Sequence, residues 1–213
     1  MNTSIIGGAD GPSAIYLAGS IGDMFAVPAA FILIFFYGIY LAKLSAQRRQ
    51  GIQTVQLGRG EKPARRTESL LRAASVLAVL VQILSIVLEW NGMPSAVRMA
   101  GILIGSLGDI VFLMAVLAMK DSWRVGIPQS GQTELVTAGI YRYSRNPAFL
   151  GFYLMYAGIL LAYFNWVLLA VTAWAVLMLH LQVLQEEAYL KDVFGEKYTA
   201  YQAETCRYFG RKR

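Results

Sequence analysis

The polar residues that could carry chemistry fall into two stretches, residues 133–151 and 182–201, of a chain that is 56% hydrophobic and 15% charged. In a helix, a rotation of about 100° per residue places Gln182 and Glu186 on one face and His180 and Glu187 on the opposite face. A carboxylate binds a cation through charge-assisted hydrogen bonds, and a histidine transfers protons near neutral pH. We therefore expect the two stretches to close over a soluble cofactor while the apolar segments behind them admit a lipid.

The carboxylates of the second stretch are separated by this helical geometry. One polar face holds Gln182 and Glu186 together with Gln185 and Tyr189, so at most one of the neighbouring carboxylates Glu186 and Glu187 can line a given pocket. The one histidine in the chain, His180, is either functional or a hydrogen-bonded structural group. Zinc chemistry is not indicated, because one histidine and one cysteine cannot supply a ligand set.

Asp109 is a third candidate, in the middle of an apolar tract. With Gly101 and Gly105 it forms a stripe at every fourth residue, and small residues at this spacing let two helices approach closely. A carboxyl group at membrane depth is costly and marks a functional site by default. The alternative is a protonated or hydrogen-bonded packing residue, and the sequence leaves both open.

Five apolar tracts must position these groups, at residues 24–42, 71–90, 97–119, 147–163 and from 166 onward. A transmembrane helix needs about 20 predominantly apolar residues. Pro147 suits the first turn of the fourth helix, where its missing N–H has no partner to lose. The sequence therefore predicts an all-α fold, a polytopic membrane helix bundle with about five transmembrane helices that forms one domain over residues 1–213.

The distribution of positive charge predicts the orientation of this bundle. Of the nineteen Lys and Arg residues, all except Arg98 follow the first, third or fifth tract or flank the second on the same side. Because cytoplasmic loops carry the excess of Lys and Arg, the N-terminus is predicted outside and the C-terminus in the cytoplasm. The net charge of +6 is then explained by basic loops that face anionic lipid. We expect membrane lipids as partners, no nucleic acid and no obligate protein partner.

Residues 1–23 contain Pro12, several glycines and two aspartates but no basic residue. We therefore do not expect a cleaved signal peptide here, and the pattern predicts a turn with a short interfacial or re-entrant segment. Within them, the string IIGGADGPSAI resembles a short glycine-rich motif in the membrane subunit of sodium-pumping decarboxylases.

The two polar stretches together carry a family pattern. Residues 135–151 read Leu-Val-Thr-x-Gly-x-Tyr-x-x-x-Arg-x-Pro-x-x-x-Gly, and the second stretch contributes Glu186-Glu187, Phe194-Gly195, Tyr198 and Tyr201. This pattern resembles the isoprenylcysteine carboxyl methyltransferase family, which belongs with the membrane phospholipid methyltransferases. The resemblance is to a bacterial-type member of that family. The resemblance covers about residues 133–207, which are predicted to form the cofactor-binding core, and it implies a place in the bacterial cytoplasmic membrane.

The resemblance implies S-adenosylmethionine as cofactor. In that arrangement Glu186 binds the ammonium group, Asn146 begins a helix whose free N–H groups favour the cofactor's oxygens, and Tyr141 offers an aromatic face. The implied cofactor-binding residues are Thr133, Leu135, Val136, Tyr141, Asn146, Pro147, Ala148, Phe149 and Glu186.

Catalytic roles are assigned to Arg145 and His180, and substrate binding to Gln182. His180 serves as a base only for an amine or hydroxyl acceptor, since a carboxylate is already ionised at neutral pH. Plainer alternatives are that Arg142 and Arg145 bind lipid headgroups and that Tyr198 and Tyr201 form an interfacial aromatic belt.

Two positions depart from the animal and fungal prenylcysteine enzymes. They have His at the position of Asn146, although many bacterial relatives are similar to this sequence in having Asn there. They also have Arg where Gln182 stands, four residues before the cofactor glutamate, and Gln lacks the cation that would hold a carboxylate. The prenylcysteine carboxylate is therefore not implied as the substrate.

The resulting expectation is an integral membrane S-adenosylmethionine-dependent methyltransferase that acts on a lipid or lipid-linked small acceptor at the cytoplasmic face. Two alternatives belong to other classes. The carboxy-terminal signature is also similar to that of membrane sterol reductases, which use NADPH. Asp109 and the decarboxylase-like N-terminus would suit a non-enzymatic transport or scaffold protein.

Overall fold

A computed structural model describes residues 23–49, 62–120 and 135–212. Thr133 and almost all of the segment 1–23, including its glycine-rich string, lie outside the described residues. Six α-helices and one short 3₁₀ helix make up the described structure, without any β-strand in these ranges. In chain order they are α1 (Ala26–Arg49), α2 (Lys62–Val87), α3 (Ser95–Met119), the 3₁₀ helix (Gly139–Arg142), α4 (Pro147–Ala162), α5 (Trp166–Phe194) and α6 (Glu196–Glu204).

The predicted all-α membrane bundle is confirmed. Four helical segments are long and apolar enough to cross a membrane, at Ala26–Arg49, Ser69–Val87, Ser95–Met119 and Trp166–Phe194. The fourth predicted span, α4, has 16 residues, which at about 1.5 Å per residue is about 24 Å and shorter than a hydrocarbon layer of about 30 Å. Large apolar side chains such as Phe31, Leu103 and Leu117 are exposed on the outer surface of the bundle, where lipid solvates them.

Helices α3 and α4 pack through glycines. A Cβ atom placed on Gly158 would lie 2.4 Å from the backbone nitrogen of Gly105, and one on Gly101 would lie 2.6 Å from the carbonyl oxygen of Gly158. The predicted close approach of the Gly101–Gly105 stripe to another helix is therefore confirmed. Asp109, one turn further along α3, is buried and its Oδ1 has no hydrogen-bond partner among the described residues.

Arg98, the exception to the charge pattern, is neutralised inside the protein. Its guanidinium forms an ion pair with Asp23, lies 4.3 Å from the centre of the Phe25 ring, and donates through Nε to the Ala162 carbonyl oxygen at 2.8 Å. The Tyr163 hydroxyl donates to Asp23 Oδ2 at 2.6 Å. Burial acts to raise the pKa of Asp23, but the hydrogen bonds from Arg98 and Tyr163 outweigh it and hold the pKa below its usual value.

Candidate active site

A cavity of about 440 Å³ opens at the end of the bundle where α5 meets α6, and this volume is within the range of about 300–1,000 Å³ typical of ligand sites. One part of its wall is polar and comes from the segment before α4, from α5 and from α6. The remaining wall is largely apolar and comes from α1, α2, α3, α4 and α5, with Tyr37, Leu71, Val76, Val79, Phe112, Phe152 and Leu179 among its residues. The two polar stretches of the sequence do meet, and the helices behind them supply an apolar compartment.

Most of the predicted site residues lie on this cavity wall. Those that line it are Leu135, Val136, Tyr141, Arg145, Asn146, Ala148, Phe149, Gln182 and Glu186. Pro147 is buried at the first position of α4 and does not line the cavity. His180 does not line it either.

The N-terminus of α4 faces the cavity with its backbone donors. Asn146 precedes the helix but its side chain makes no capping hydrogen bond, and Pro147 has no N–H. The N–H groups of Ala148 and Phe149, in the first turn, have no acceptor within the helix. Because both residues line the cavity, the positive end of the helix dipole is directed at it. The predicted helix start at Asn146–Pro147 is confirmed.

Glu187 organises the residues behind this wall, although it does not line the cavity itself. Its carboxylate accepts hydrogen bonds from Arg145 Nη2 at 3.0 Å, from Asn146 Nδ2 at 2.8 Å and from Arg207 Nε at 3.1 Å. The side chains of Glu187 and Arg145 are only 5% and 6% exposed. One buried carboxylate thus holds the segment before α4 and the C-terminal segment against α5.

The side chain and the backbone N–H of Arg145 are both hydrogen-bonded within the protein. Besides its bonds to Glu187, it donates through Nη1 to the Thr205 carbonyl oxygen at 2.5 Å, and its backbone N–H donates to the Cys206 carbonyl oxygen at 3.1 Å. The backbone N–H of Asn146 likewise donates to the Arg207 carbonyl oxygen at 3.2 Å. A buried guanidinium with these partners does not face lipid headgroups, so that alternative for Arg145 is wrong. Its predicted catalytic role stays a prediction, and what its contacts do is hold the C-terminal segment.

The tyrosines of α6 are part of the cavity wall. Tyr198 and Tyr201 are 1% and 8% exposed, so the alternative of a lipid-facing aromatic belt is wrong. The Tyr201 hydroxyl donates to the Tyr141 carbonyl oxygen at 2.5 Å. Burial raises the pKa of Tyr198 to about 12 and raises the pKa of Tyr141 and Tyr201 as well. These hydroxyls are therefore protonated at neutral pH.

His180 faces away from the cavity. Its Nδ1 lies 2.5 Å from the Tyr208 hydroxyl, which in turn lies 3.3 Å from the Tyr153 hydroxyl. This is the hydrogen-bonded structural arrangement named above as the alternative for His180. The physical reason is the helical angle of about 200° between His180 and Gln182, which puts only Gln182 on the cavity wall.

Two features of the site were missed by reasoning from the sequence. Glu187 was assigned only to the face opposite the cofactor, and the C-terminal segment around Thr205 and Arg207 had no assigned contacts. The sequence did contain a signal for this contact: a carboxylate on a membrane helix and basic residues in the C-terminal tail. A buried charge must be paired, so the two could have been expected to meet.

Residues 97–197 match the family model described as phospholipid methyltransferase. This range contains α4, α5, all but the first two residues of α3, and every predicted site residue that lines the cavity. No curated protein matches the chain.

Proposed function

We propose that this protein, whose residues 97–197 match the phospholipid methyltransferase family, uses S-adenosylmethionine to methylate a lipid or lipid-linked acceptor at the cytoplasmic face of the membrane. This agrees with the family resemblance in the two polar stretches. The proposal extends the family assignment in three respects: the cofactor, the class of acceptor and the side of the membrane.

One observation carries the cofactor assignment. The Glu186 carboxylate and the uncapped N-terminus of α4 line the same cavity. An amino-acid group carries an ammonium and a carboxylate, which a carboxylate side chain and free backbone N–H groups bind respectively. Leu135, Val136 and Phe149 on the same wall suit the faces of an adenine ring. The residues present therefore fit S-adenosylmethionine.

When bound, this cofactor supplies an electrophilic methyl group on a positively charged sulfur. The residues of the chain have to align an acceptor with that methyl group, which is the main protein contribution to an in-line displacement. The buried hydroxyls of Tyr198 and Tyr201 and the Arg145–Glu187 pair hold the wall rigid, and the apolar wall excludes water from the reacting groups.

The apolar compartment supports a lipid acceptor. Its residues from α2 include Leu71, Val76 and Val79, and Val76 is 56% exposed on the lipid-facing side of the bundle. An alkyl chain can therefore lie between the bilayer and the polar part of the cavity. The same end of the bundle carries Arg48, Arg49 and the basic C-terminal segment, which by charge belongs on the cytoplasmic side.

The cofactor assignment is tested with Glu186→Ala in detergent-purified full-length protein. The dissociation constant for S-adenosylhomocysteine, measured by calorimetry, is expected to rise well over tenfold because the ammonium loses its carboxylate partner. Glu196→Ala is the matched control, since Glu196 is an exposed carboxylate at the start of α6 and does not line the cavity. Unchanged affinity in Glu186→Ala would remove Glu186 from the site.

Thermal stabilisation of the same purified protein by different ligands distinguishes the alternative functions. A ligand of the native state raises the apparent unfolding temperature, and we expect stabilisation by S-adenosylhomocysteine and none by NADPH or sodium. Stabilisation by NADPH alone would favour a reductase, and stabilisation by sodium alone would favour transport.

A further inference from the structure

Residues 205–212, which follow α6, fold back on themselves as a short turn that we call the C-terminal hairpin. Thr205 and Arg211 pair as an isolated antiparallel bridge, and the backbone N–H of Cys206 donates to the Gly210 carbonyl oxygen at 2.9 Å. Gly210 has a φ of 118°, a conformation that glycine adopts without a steric penalty. The hairpin is therefore a defined structure with a fixed tip.

The tip of the hairpin lies at membrane depth. The Tyr208 hydroxyl is 2.5 Å from His180 Nδ1 and 3.3 Å from the Tyr153 hydroxyl, so Tyr208 contacts both α5 and α4. His180 is fourteen residues beyond Trp166, where α5 begins, which is about 21 Å along the helix and within a hydrocarbon layer of about 30 Å. Phe209 follows Tyr208 and is 77% exposed. Its ring therefore faces lipid at the edge of the hydrocarbon layer.

Two cations and a second exposed aromatic ring accompany Phe209. The Arg211 side chain is 55% exposed, and Lys212 is exposed as well. Tyr143 is 51% exposed, and its carbonyl oxygen accepts from the Gly210 N–H at 2.7 Å, which joins it to the hairpin. Aromatic rings beside Lys and Arg are the composition of segments that bind at a membrane interface. We call Tyr143, Phe209, Arg211 and Lys212 the hairpin surface.

The other side of the hairpin holds the wall of the ligand cavity. The backbone N–H and the Nη1 of Arg145 donate to the carbonyl oxygens of Cys206 and Thr205, at 3.1 and 2.5 Å. The backbone N–H of Asn146 donates to the Arg207 carbonyl oxygen at 3.2 Å. Arg145 and Asn146 both line the cavity. A displacement of the hairpin would therefore remove hydrogen-bond acceptors from residues of the cavity wall.

We propose that the hairpin surface binds the headgroups of anionic phospholipids in the bilayer, and that this binding raises the affinity of the cavity for its cofactor. Arg211 and Lys212 attract the lipid phosphates, while the Phe209 ring is buried at the boundary with the acyl chains. The depth of the tip favours a bilayer over a soluble acidic partner. Lipid binding holds the hairpin against α4 and α5, so that its carbonyl oxygens keep Arg145 and Asn146 in place.

The coupling between the two sites rests on the methyl-donor site proposed above, whereas the lipid contact itself does not. Full-length protein is reconstituted in nanodiscs of phosphatidylcholine alone or of an equal mixture of phosphatidylcholine and phosphatidylglycerol. The dissociation constant for S-adenosylhomocysteine is expected to be lower by about fivefold or more in the anionic discs, which is the lower end of typical coupling between two sites. Inorganic phosphate added to the phosphatidylcholine discs should not reproduce this change.

The double variant Arg211→Gln with Lys212→Gln removes both cations of the hairpin surface. Arg211 is 3.9 Å from Glu204, and both side chains are more than half exposed, so the loss of this pair costs little stability. Glutamine also retains an N–H donor for the Gln202 carbonyl oxygen that Lys212 contacts. In this variant the two kinds of disc are expected to give the same affinity.

The matched control is the double variant Arg48→Gln with Arg49→Gln. These two cations are exposed in the last turn of α1, so the control removes the same charge from another part of the surface. It is expected to keep the wild-type difference between the two kinds of disc.

Hydrogen exchange tests the lipid contact without any cofactor. The backbone N–H groups of Cys206 and Gly210 are bonded within the hairpin and to Tyr143, and those of Arg145 and Asn146 are bonded to the hairpin. All four are expected to exchange several-fold more slowly in the anionic discs. The variant that lacks Arg211 and Lys212 should show no such difference, and the α1 control should show it in full.

The outcomes separate this inference from the proposed function. Equal cofactor affinity of the wild-type protein in both kinds of disc would refute the coupling, and equal exchange rates would refute the lipid contact. A lipid effect that persists without Arg211 and Lys212, that disappears equally in the α1 control, or that inorganic phosphate reproduces would also overturn the inference. Absence of S-adenosylhomocysteine binding in either disc would instead refute the proposed function, and the exchange measurement would still decide whether the hairpin binds lipid.

Discussion

Replacing Glu187 by alanine is the most severe single change that the structure predicts at this site. The substitution removes the acceptor of Arg145, Asn146 and Arg207. It leaves the Arg145 guanidinium, which is only 6% exposed, buried without a counter-charge. Arg145 and Asn146 also line the cavity, so their displacement is expected to weaken S-adenosylhomocysteine binding as well.

The magnitude follows from the burial of the pair. Removing one partner of a buried ion pair costs about 3–5 kcal/mol. For a chain of this size each kcal/mol lowers the unfolding temperature by about 2–4 °C, so Glu187→Ala is expected to unfold about 6–20 °C below the wild-type protein. The exposed pair Arg211–Glu204, at 3.9 Å with both side chains more than half exposed, supplies the control. Glu204→Ala is expected to cost at most about 1 kcal/mol.

The assay is the apparent unfolding temperature of both variants in one detergent, followed by intrinsic tryptophan fluorescence at a single heating rate. Glu187→Gln is measured beside them, because it retains an oxygen acceptor for Asn146 while removing the charge, and it should fall between wild type and Glu187→Ala. A shift in Glu187→Ala no larger than that in Glu204→Ala would refute the interpretation of Glu187 as the organising residue.

The remaining predictions concern the packing and the outer end of the bundle. Gly158→Ala should lower the unfolding temperature by several degrees, because its Cβ would lie 2.4 Å from the Gly105 backbone nitrogen and overpacking costs about 1–3 kcal/mol. Gly38→Ala should be neutral or stabilising, since a Cβ there meets nothing within 4 Å. Asp23→Asn should destabilise the protein at neutral pH. That difference should shrink as the pH falls below the ordinary carboxyl pKa of about 4 and through the lower pKa of Asp23 in the folded protein.

The sign of this last effect follows from the lowered pKa of Asp23. A carboxyl group with a depressed pKa in the folded state stabilises the protein above its unfolded pKa and loses that contribution as the pH falls through the folded pKa. Unfolding temperatures of both proteins between about pH 2 and pH 7 measure it. A difference that is constant across this range would contradict the ion pair, and equal stability of Gly158→Ala and Gly38→Ala would contradict the close packing of α3 and α4.

The paired roles of Glu186 and Glu187 follow from one helical register. The two carboxylates are adjacent in the chain, yet one lines the cavity and the other anchors the C-terminal segment. A helix places neighbouring residues about 100° apart, so α5 contributes to the ligand site with one face and to its support with another. This explains why the two carboxylates need separate tests: substitution of Glu186 is expected to change cofactor affinity, and substitution of Glu187 to change stability as well.

The sequence alone determined the features that depend on local patterns. Long apolar tracts predicted the membrane helices, Pro147 marked the start of α4, and glycines at every fourth residue predicted a close contact of α3 with another helix, which the structure shows to be α4. Most cavity-lining residues of the motif were implied by the family resemblance, and only the shared face of Gln182 and Glu186 followed from helical periodicity. Hydropathy did not determine where helices end: α1 continues to Arg49 beyond its apolar tract, because an α-helix satisfies its own backbone hydrogen bonds in water as well as in lipid.

The tertiary structure decided which side chains share a partner. The contacts of Glu187 with Arg145, Asn146 and Arg207 join residues that are 42, 41 and 20 positions apart. Nothing local in the sequence specifies such pairs, since they depend on how α4, α5 and the C-terminal segment pack. For the same reason His180, a plausible base by residue type, is bonded to Tyr208 away from the cavity. Residue type determines what chemistry a side chain can do, and packing determines whether it reaches the ligand.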